Sequence, residues 1–196
     1  MSAPPRSVAV YCASSRQCDR EYHDAARRLG ATLAAGGLGI VYGGGGAGSM
    51  GALAEGALAR GGHVVGVLPR FMVELEWGHR GLSELVLVDT MRERKHEMLA
   101  RSRAAVALPG GCGTLEELLE AMTLKRLGLY LHPIVLVNTR GYFDPLLQLL
   151  ASAVSERFMD DRHRAMWQVV AEPEAVPAAI ESAPGWTSDA QGFAVP

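Results

Sequence analysis

Short apolar runs alternate with longer stretches of helical periodicity along this chain. Residues 7–14, 38–42, 63–68, 84–88, 104–108 and 134–137 are rich in Val, Leu, Ile and Ala and read as strands. The segments 20–35, 49–60, 90–102, 115–127, 145–156 and 173–182 read as helices, the one at 90–102 strongly charged. Gly36-Gly37 and Gly61-Gly62 close two of the helices, and Pro69 and Pro109 stop two of the strands. Most of the strand runs show no polar alternation, which predicts burial on both faces. Strands alternating with helices predict a mainly parallel sheet with helices on both sides. The expectation is therefore a single doubly wound, Rossmann-like α/β domain over residues 6–183, with residues 1–5 and 184–196 as flexible tails. Ligands of such folds sit at the carboxyl ends of the strands.

Composition narrows the function classes. The 196 residues suffice for one domain, and the net charge of −2 argues against a nucleic-acid partner. No apolar run approaches the roughly 20 residues of a membrane helix, and residues 1–6 do not resemble a secretory leader. The cysteines, Cys12, Cys18 and Cys112, are odd in number and match no zinc spacing. They are read as reduced thiols, so the expected compartment is the cytoplasm. No metal site is expected: H-E-x-x-H is absent, and the six histidines are scattered. Glycine stands out, 23 residues or about 12% against a typical ~7%, and it is concentrated after two strand candidates.

The first cluster, Tyr42 to Gly51, contains G-x-G-x-x-G twice: Gly43/Gly45/Gly48 and Gly46/Gly48/Gly51. Such a turn lets backbone approach a phosphate at a helix N-terminus. A dinucleotide site also needs an acidic residue at the end of the next strand. That strand ends in Val67-Leu68-Pro69-Arg70, which disfavours NAD(P), and no other cofactor is implied. The second cluster, L-P-G-G-C-G-T-L-E-E from Leu108 to Glu117, again joins a strand to a helix. Its glycines and Thr114 suit a phosphate monoester, but the Lys of an ATP-binding P-loop is missing.

Thr114 and Glu117 also have the spacing of a capping box, with Thr114 as N-cap and Glu117 three positions on. Leu115, Leu118, Leu119 and Met122 form a core stripe, which places Glu117 on the opposite face. Capping and chemistry both stay open for Glu117. A third segment, M-R-E-R-K-H-E-M, sets Met91, Arg94, Lys95 and Met98 along one helical face. Two cations and two thioethers on one stripe suit a phosphate and an apolar base together.

P-G-G-x-G-T-x-x-E (Pro109 to Glu117), preceded by E-R-K (Glu93 to Lys95), resembles the Lonely Guy family of cytokinin riboside 5′-monophosphate phosphoribohydrolases. V-Y-C-A-S-S, the Y-G-G-G loop, H-R-G-L-S-E-L and G-Y-F-D-P-L-L extend the resemblance from about Val8 to about Leu150. It implies hydrolysis of the N-glycosidic bond of a nucleoside 5′-monophosphate, releasing free base and ribose 5-phosphate. Gly110, Gly111, Gly113 and Thr114 would hold the phosphate, and Arg94 and Glu117 would act at the ribose. Lys95, Glu116 and Thr123 would line the nucleotide site, with Glu76 near the base. Beside the residues that the resemblance assigns, Ser14, Gly43, Gly44, Met91, Cys112 and Leu115 are expected at the substrate. It also implies a homodimer or higher homo-oligomer. The alternative on the same fold is a nucleotide or molybdenum-cofactor binding protein without catalysis.

The chemistry suits these residue types. Breaking the bond develops oxocarbenium-like charge on the ribose, which a fixed carboxylate can stabilise. Members of this family are also labelled lysine decarboxylases. That reaction uses pyridoxal phosphate on a lysine Schiff base, and the only lysines, Lys95 and Lys125, lie on charged helices. Departures from the family pattern fall at Trp77, at Cys112, at Leu124 and Arg126 where Trp and Gln are usual, and across residues 130–133. They leave the choice between AMP and an isopentenyl-adenine nucleotide open.

Overall fold

The computed structural model describes residues 6–75 and 78–194. The apolar runs pair into one parallel sheet of seven strands among those residues, in the order β4-β3-β2-β1-β5-β6-β7. The strands are β1 (Ser7–Tyr11), β2 (Gly39–Tyr42), β3 (Val64–Pro69), β4 (Glu84–Val88), β5 (Ala105–Ala107), β6 (Ile134–Val137) and β7 (Gln168–Val170). The helices are α1 (Arg20–Ala35), α2 (Gly48–Leu58), α3 (Arg70–Glu74), α4 (Met91–Ala100), α5 (Cys112–Arg126), α6 (Asp144–Ser155) and α7 (Val176–Ser182). This is the doubly wound α/β fold expected from the alternation.

Alternate residues of each central strand enter opposite cores. Val8, Val10 and Cys12 face one core with Leu29 and Leu33 of α1 and Leu53 of α2. Ala9 and Tyr11 face the other with Met98 of α4 and Leu118, Ala121 and Met122 of α5. Both faces of β1 are therefore dry, which is why its sequence shows no polar alternation. Strand β4 differs. It is an edge strand, and Leu85 and Leu87 remain 43% and 39% exposed.

Three further features depart from the sequence reading. Helix α3 and strand β7 are additional elements, too short to leave a periodic signal. The segment from residue 184 is not a loose tail over residues 186–194. The Trp186 indole donates to the Lys125 carbonyl at 2.8 Å, and the Arg126 guanidinium donates to the Ala194 carbonyl. Trp186 and Phe193 pack around the buried His163, and the Arg162 guanidinium lies 3.8 Å from the Phe193 ring centre. Residues 1–5, the other expected tail, lie outside the described residues.

Helices α1 and α2 meet so closely that their contact requires glycine. A Cβ on Gly30 would lie 2.1 Å from the Leu53 carbonyl oxygen, and one on Gly56 would lie 2.1 Å from that of Arg27. Gly30→Ala should therefore destabilise the protein by about 1–3 kcal/mol, the usual range for overpacking. Gly185→Ala, which meets nothing within 4 Å, should stay within about 0.5 kcal/mol of wild type. Urea unfolding of the two variants checks this; equal midpoints would contradict the close contact.

Candidate active site

The order of the strands reverses direction at β1, which is flanked by β2 on one side and β5 on the other. A crevice opens at such a point, outside the carboxyl ends of the strands. Both glycine clusters lie there. The chain leaving β2 passes through Gly43 and Gly44, and the chain leaving β5 passes through Leu108 to Gly111. The Leu108 amide is held on the Tyr11 carbonyl at 2.9 Å.

The second cluster forms the N-terminus of α5. This helix starts at Cys112, three residues earlier than its apolar pattern suggests, with Gly111 as N-cap and no side-chain cap. The expected capping box is therefore absent. Thr114 is the third helical residue, and a Cβ on Gly110 would lie 2.2 Å from its Oγ1. Without a cap, the amides of Cys112, Gly113 and Thr114 are the free donors of a helix start, which favours an anion. Gly111 and Gly113 have no positive φ, and a Cβ on either would meet nothing within 4 Å. Neither backbone strain nor internal packing calls for glycine at these two positions. The backbone at both positions is open to the surroundings.

Arg94 and Glu117 converge on this crevice from α4 and α5. Arg94 is 6% exposed, with Nε donating to the Val67 carbonyl at 3.1 Å and Nη2 donating to that of Gly43 at 2.7 Å. A Cβ on Gly43 would lie 2.0 Å from Nη2, so this glycine makes room for the guanidinium. Burial lowers the Arg94 pKa, and the nearby Glu117 charge opposes that. Glu117 is 5% exposed and faces inward, contrary to the outward face expected from the Leu stripe. The buried face of α5 runs through Thr114, Glu117, Leu118, Ala121, Met122 and Lys125, while Leu119 is 41% exposed. Desolvation pushes the Glu117 pKa up to about 7, with Arg94 pulling the other way. Among the described residues its carboxylate has no ion pair within 4.0 Å and accepts no hydrogen bond. Its oxygens are nevertheless not sealed off from solvent, so a buried acid is left available to a ligand.

The sequence-derived residues fall into two groups. Ser14, Gly43 and Arg94 border a cleft of about 790 Å³, to which Met50, Met72 and His79, outside the expected set, also contribute. Met72 belongs to α3, an element the sequence did not reveal. Gly44 adopts a positive φ of 74° beside Gly43. Met91, at the start of α4, sets its sulfur 3.9 Å from Arg94 Nη1. Lys95, Cys112, Leu115, Glu116 and Thr123 instead line a shallow groove on the outer side of α5. There Lys95 Nζ binds Glu116 Oε1 at 2.5 Å and lies 3.1 Å from Glu120 Oε2. Thr123 donates to the Leu119 carbonyl of its own helix and lies nine residues, about 13 Å, along α5 from Thr114. Glu76 lies outside the described residues. Neither Leu124 nor Arg126 borders the Arg94 cleft: Leu124 packs against the α5 core, and Arg126 holds Ala194.

Comparison with known proteins shows the family. The family described as possible lysine decarboxylase matches residues 50–180. A probable cytokinin riboside 5′-monophosphate phosphoribohydrolase of Oryza sativa, LOGL9, is 44% identical over 170 residues, covering 87% of this chain and 74% of its own length. LOG2 of Arabidopsis thaliana, named as the same enzyme, is 38% identical over 87% of this chain and 79% of its own. The chain belongs to the Lonely Guy family. Among solved structures, an X-ray structure of a structural genomics target is 27% identical with a TM-score of 0.73, covering 90% of this chain and 98% of that one. The molybdenum cofactor carrier protein of Chlamydomonas reinhardtii reaches a TM-score of 0.70 at 21% identity, covering 91% and 97%; that likeness concerns the fold alone. In this Lonely Guy protein neither lysine suits a Schiff base in the crevice. Lys95 is engaged by two carboxylates. Lys125 donates to the His132 carbonyl at 2.8 Å, 13 residues or about 20 Å along α5 from Cys112.

The raised Glu117 pKa has a consequence for stability. Between about pH 4.5 and about 7, the folded protein retains a proton that the unfolded chain has lost, so stability falls as the pH rises through that window. Glu117→Gln removes this slope. Its Tm advantage over wild type should widen from pH 4.5 to 7 and then level off, at the equivalent of about 3 kcal/mol or less. Parallel Tm curves for the two proteins would show that Glu117 is solvated.

Proposed function

We propose that the protein hydrolyses the C1′–N bond of a nucleoside 5′-monophosphate, giving the free base and ribose 5-phosphate. The observation that carries this reading is Glu117, a buried carboxylate without an ion-pair or hydrogen-bond partner among the described residues, in the second turn of a helix whose first amides have no side-chain cap. Its position favours a ligand with a phosphate at one end and developing positive charge a few ångströms away. The phosphate rests on the amides of Cys112, Gly113 and Thr114. The ribose lies between Arg94 and Glu117, and the base extends toward Met50, Met72 and His79.

In this arrangement Glu117 stabilises the oxocarbenium-like ribose as the bond to the base lengthens. With a pKa of about 7, it also accepts the proton of the attacking water. Water adds across the bond, hydroxyl to C1′ and hydrogen to the base. Arg94, fixed by two carbonyls, orients the ribose hydroxyls without needing to move. Relatives named as cytokinin riboside 5′-monophosphate phosphoribohydrolases at 38% and 44% identity support the same bond and a cytokinin nucleotide as substrate; AMP is the competing substrate of this proposal. A homodimer fits the edge of the sheet, where Leu85 and Leu87 of β4 and Phe71 of α3 remain exposed at 43%, 39% and 47%.

Purified protein incubated with isopentenyladenosine 5′-monophosphate, and separately with AMP, should release free base detectable by chromatography. Glu117→Gln should lose about 10²–10⁴-fold in kcat while staying folded. Binding of both nucleotides without base release would overturn the hydrolase reading. For the dimer, light scattering should give two chains per particle, and Leu85→Glu/Leu87→Glu should shift it to one; an unchanged mass would remove this edge from the interface.

A further inference from the structure

A strained turn between β6 and α6 presents one side chain to the phosphate cradle. Arg140 has a φ of 58° although it is not glycine, and Gly141 follows at 68°. A left-handed residue with a side chain costs roughly 1 kcal/mol, and such strain persists where the surroundings enforce it. Asn138 does so here. Its Oδ1 accepts from the Phe143 amide at 2.7 Å, its Nδ2 donates to Asp144 Oδ1 at 2.7 Å, and its carbonyl accepts from the Gly141 amide at 3.0 Å. Arg140 is further tied to Asp19, the N-cap of α1. The turn directs Tyr142 outward, where its Oη donates to the Gly110 carbonyl at 2.5 Å. Tyr22 and Phe143 pack edge-on against the Tyr142 ring, with centroids 6.0 and 5.2 Å away.

Gly110 is thus gripped from two directions. Thr114 occupies the space where its Cβ would be, and Tyr142 holds its carbonyl. The peptide after Gly110 carries the amide that leads into the uncapped start of α5. Fixing one end of that peptide fixes where the following amides point.

We propose that Tyr142 is a positioning residue for phosphate recognition: its hydroxyl orients the Gly110 loop so that the first amides of α5 converge on the 5′-phosphate. This rests on the nucleotide reading above. Tyr142 touches no reacting atom, so its contribution is to binding in ground state and transition state alike. Removing it raises KM and leaves kcat nearly unchanged.

The test is Tyr142→Phe, which keeps the ring and removes only the donor. Calorimetry should give about tenfold weaker binding of ribose 5-phosphate and of AMP, as expected for one lost hydrogen bond. Binding of adenosine, which lacks the phosphate, should be unchanged. For nucleotide hydrolysis, KM should rise by a similar factor, with kcat within about threefold of wild type. A general loosening of the fold would weaken adenosine as much as AMP, and that result overturns the assignment. So does undiminished phosphate affinity in Tyr142→Phe while wild type binds both phosphate ligands. Wild type that binds neither ribose 5-phosphate nor AMP overturns the nucleotide reading itself, and this assignment with it.

Discussion

Two opposite charges, Arg94 and Glu117, are almost wholly buried in this protein, and among the described residues they do not pair with each other. Arg94 gives two of its donors to the carbonyls of Val67 and Gly43, and Glu117 projects from the first turns of α5 with no donor among the described residues. Burying an unpaired carboxylate is costly, and the cost appears as a pKa raised to about 7. A direct ion pair would lower that cost and would also leave nothing to offer a substrate. The crevice, the glycines and the helix start are arranged around keeping the two groups close and separate.

The glycines serve that arrangement in different ways. Gly43 leaves room for the Arg94 guanidinium, and Gly110 leaves room for Thr114. Gly111 and Gly113 leave room for nothing within the protein. Spacing treats all four alike, as parts of a phosphate-binding pattern. Only their surroundings separate glycines that let the protein pack from glycines that leave the backbone open.

Much of the fold was legible because the central strands are buried on both faces, so Val8–Val10 or Ile134–Val137 cannot be mistaken for amphipathic segments. Short elements left no such mark. Helix α3 has five residues and β7 has three, and α3 supplies Met72 to the cleft. The tail was misread because Trp186 and Phe193 are isolated apolar residues in a Gly- and Pro-containing stretch; they were the signal that the segment packs. The motifs E-R-K and P-G-G-x-G-T-x-x-E mark Arg94, Glu117 and the start of α5 as candidates, and the fold brings them to one crevice. The orientation of α5 was not legible. The apolar stripe of Leu115, Leu118, Leu119 and Met122 suggests a core face, but only Leu118 and Met122 of it are fully buried. The helix instead turns Ala121 and Lys125 inward beside Leu118, and this rotation carries Glu117 from the solvent side into the crevice. The groove residues Lys95, Glu116 and Thr123 were grouped with the site by family pattern, whereas the fold sets them on the outer side of α5.

The most direct measurement is a titration of the Glu117 carboxyl carbon by NMR in the ligand-free protein, assigned by comparison with Glu117→Gln. The account predicts a single midpoint near 7, reflecting a carboxylate short of water and without a partner. A midpoint near 4.5 would mean that water or a cation already serves this side chain, and the case for a proton-poised acid at the start of α5 would be contradicted.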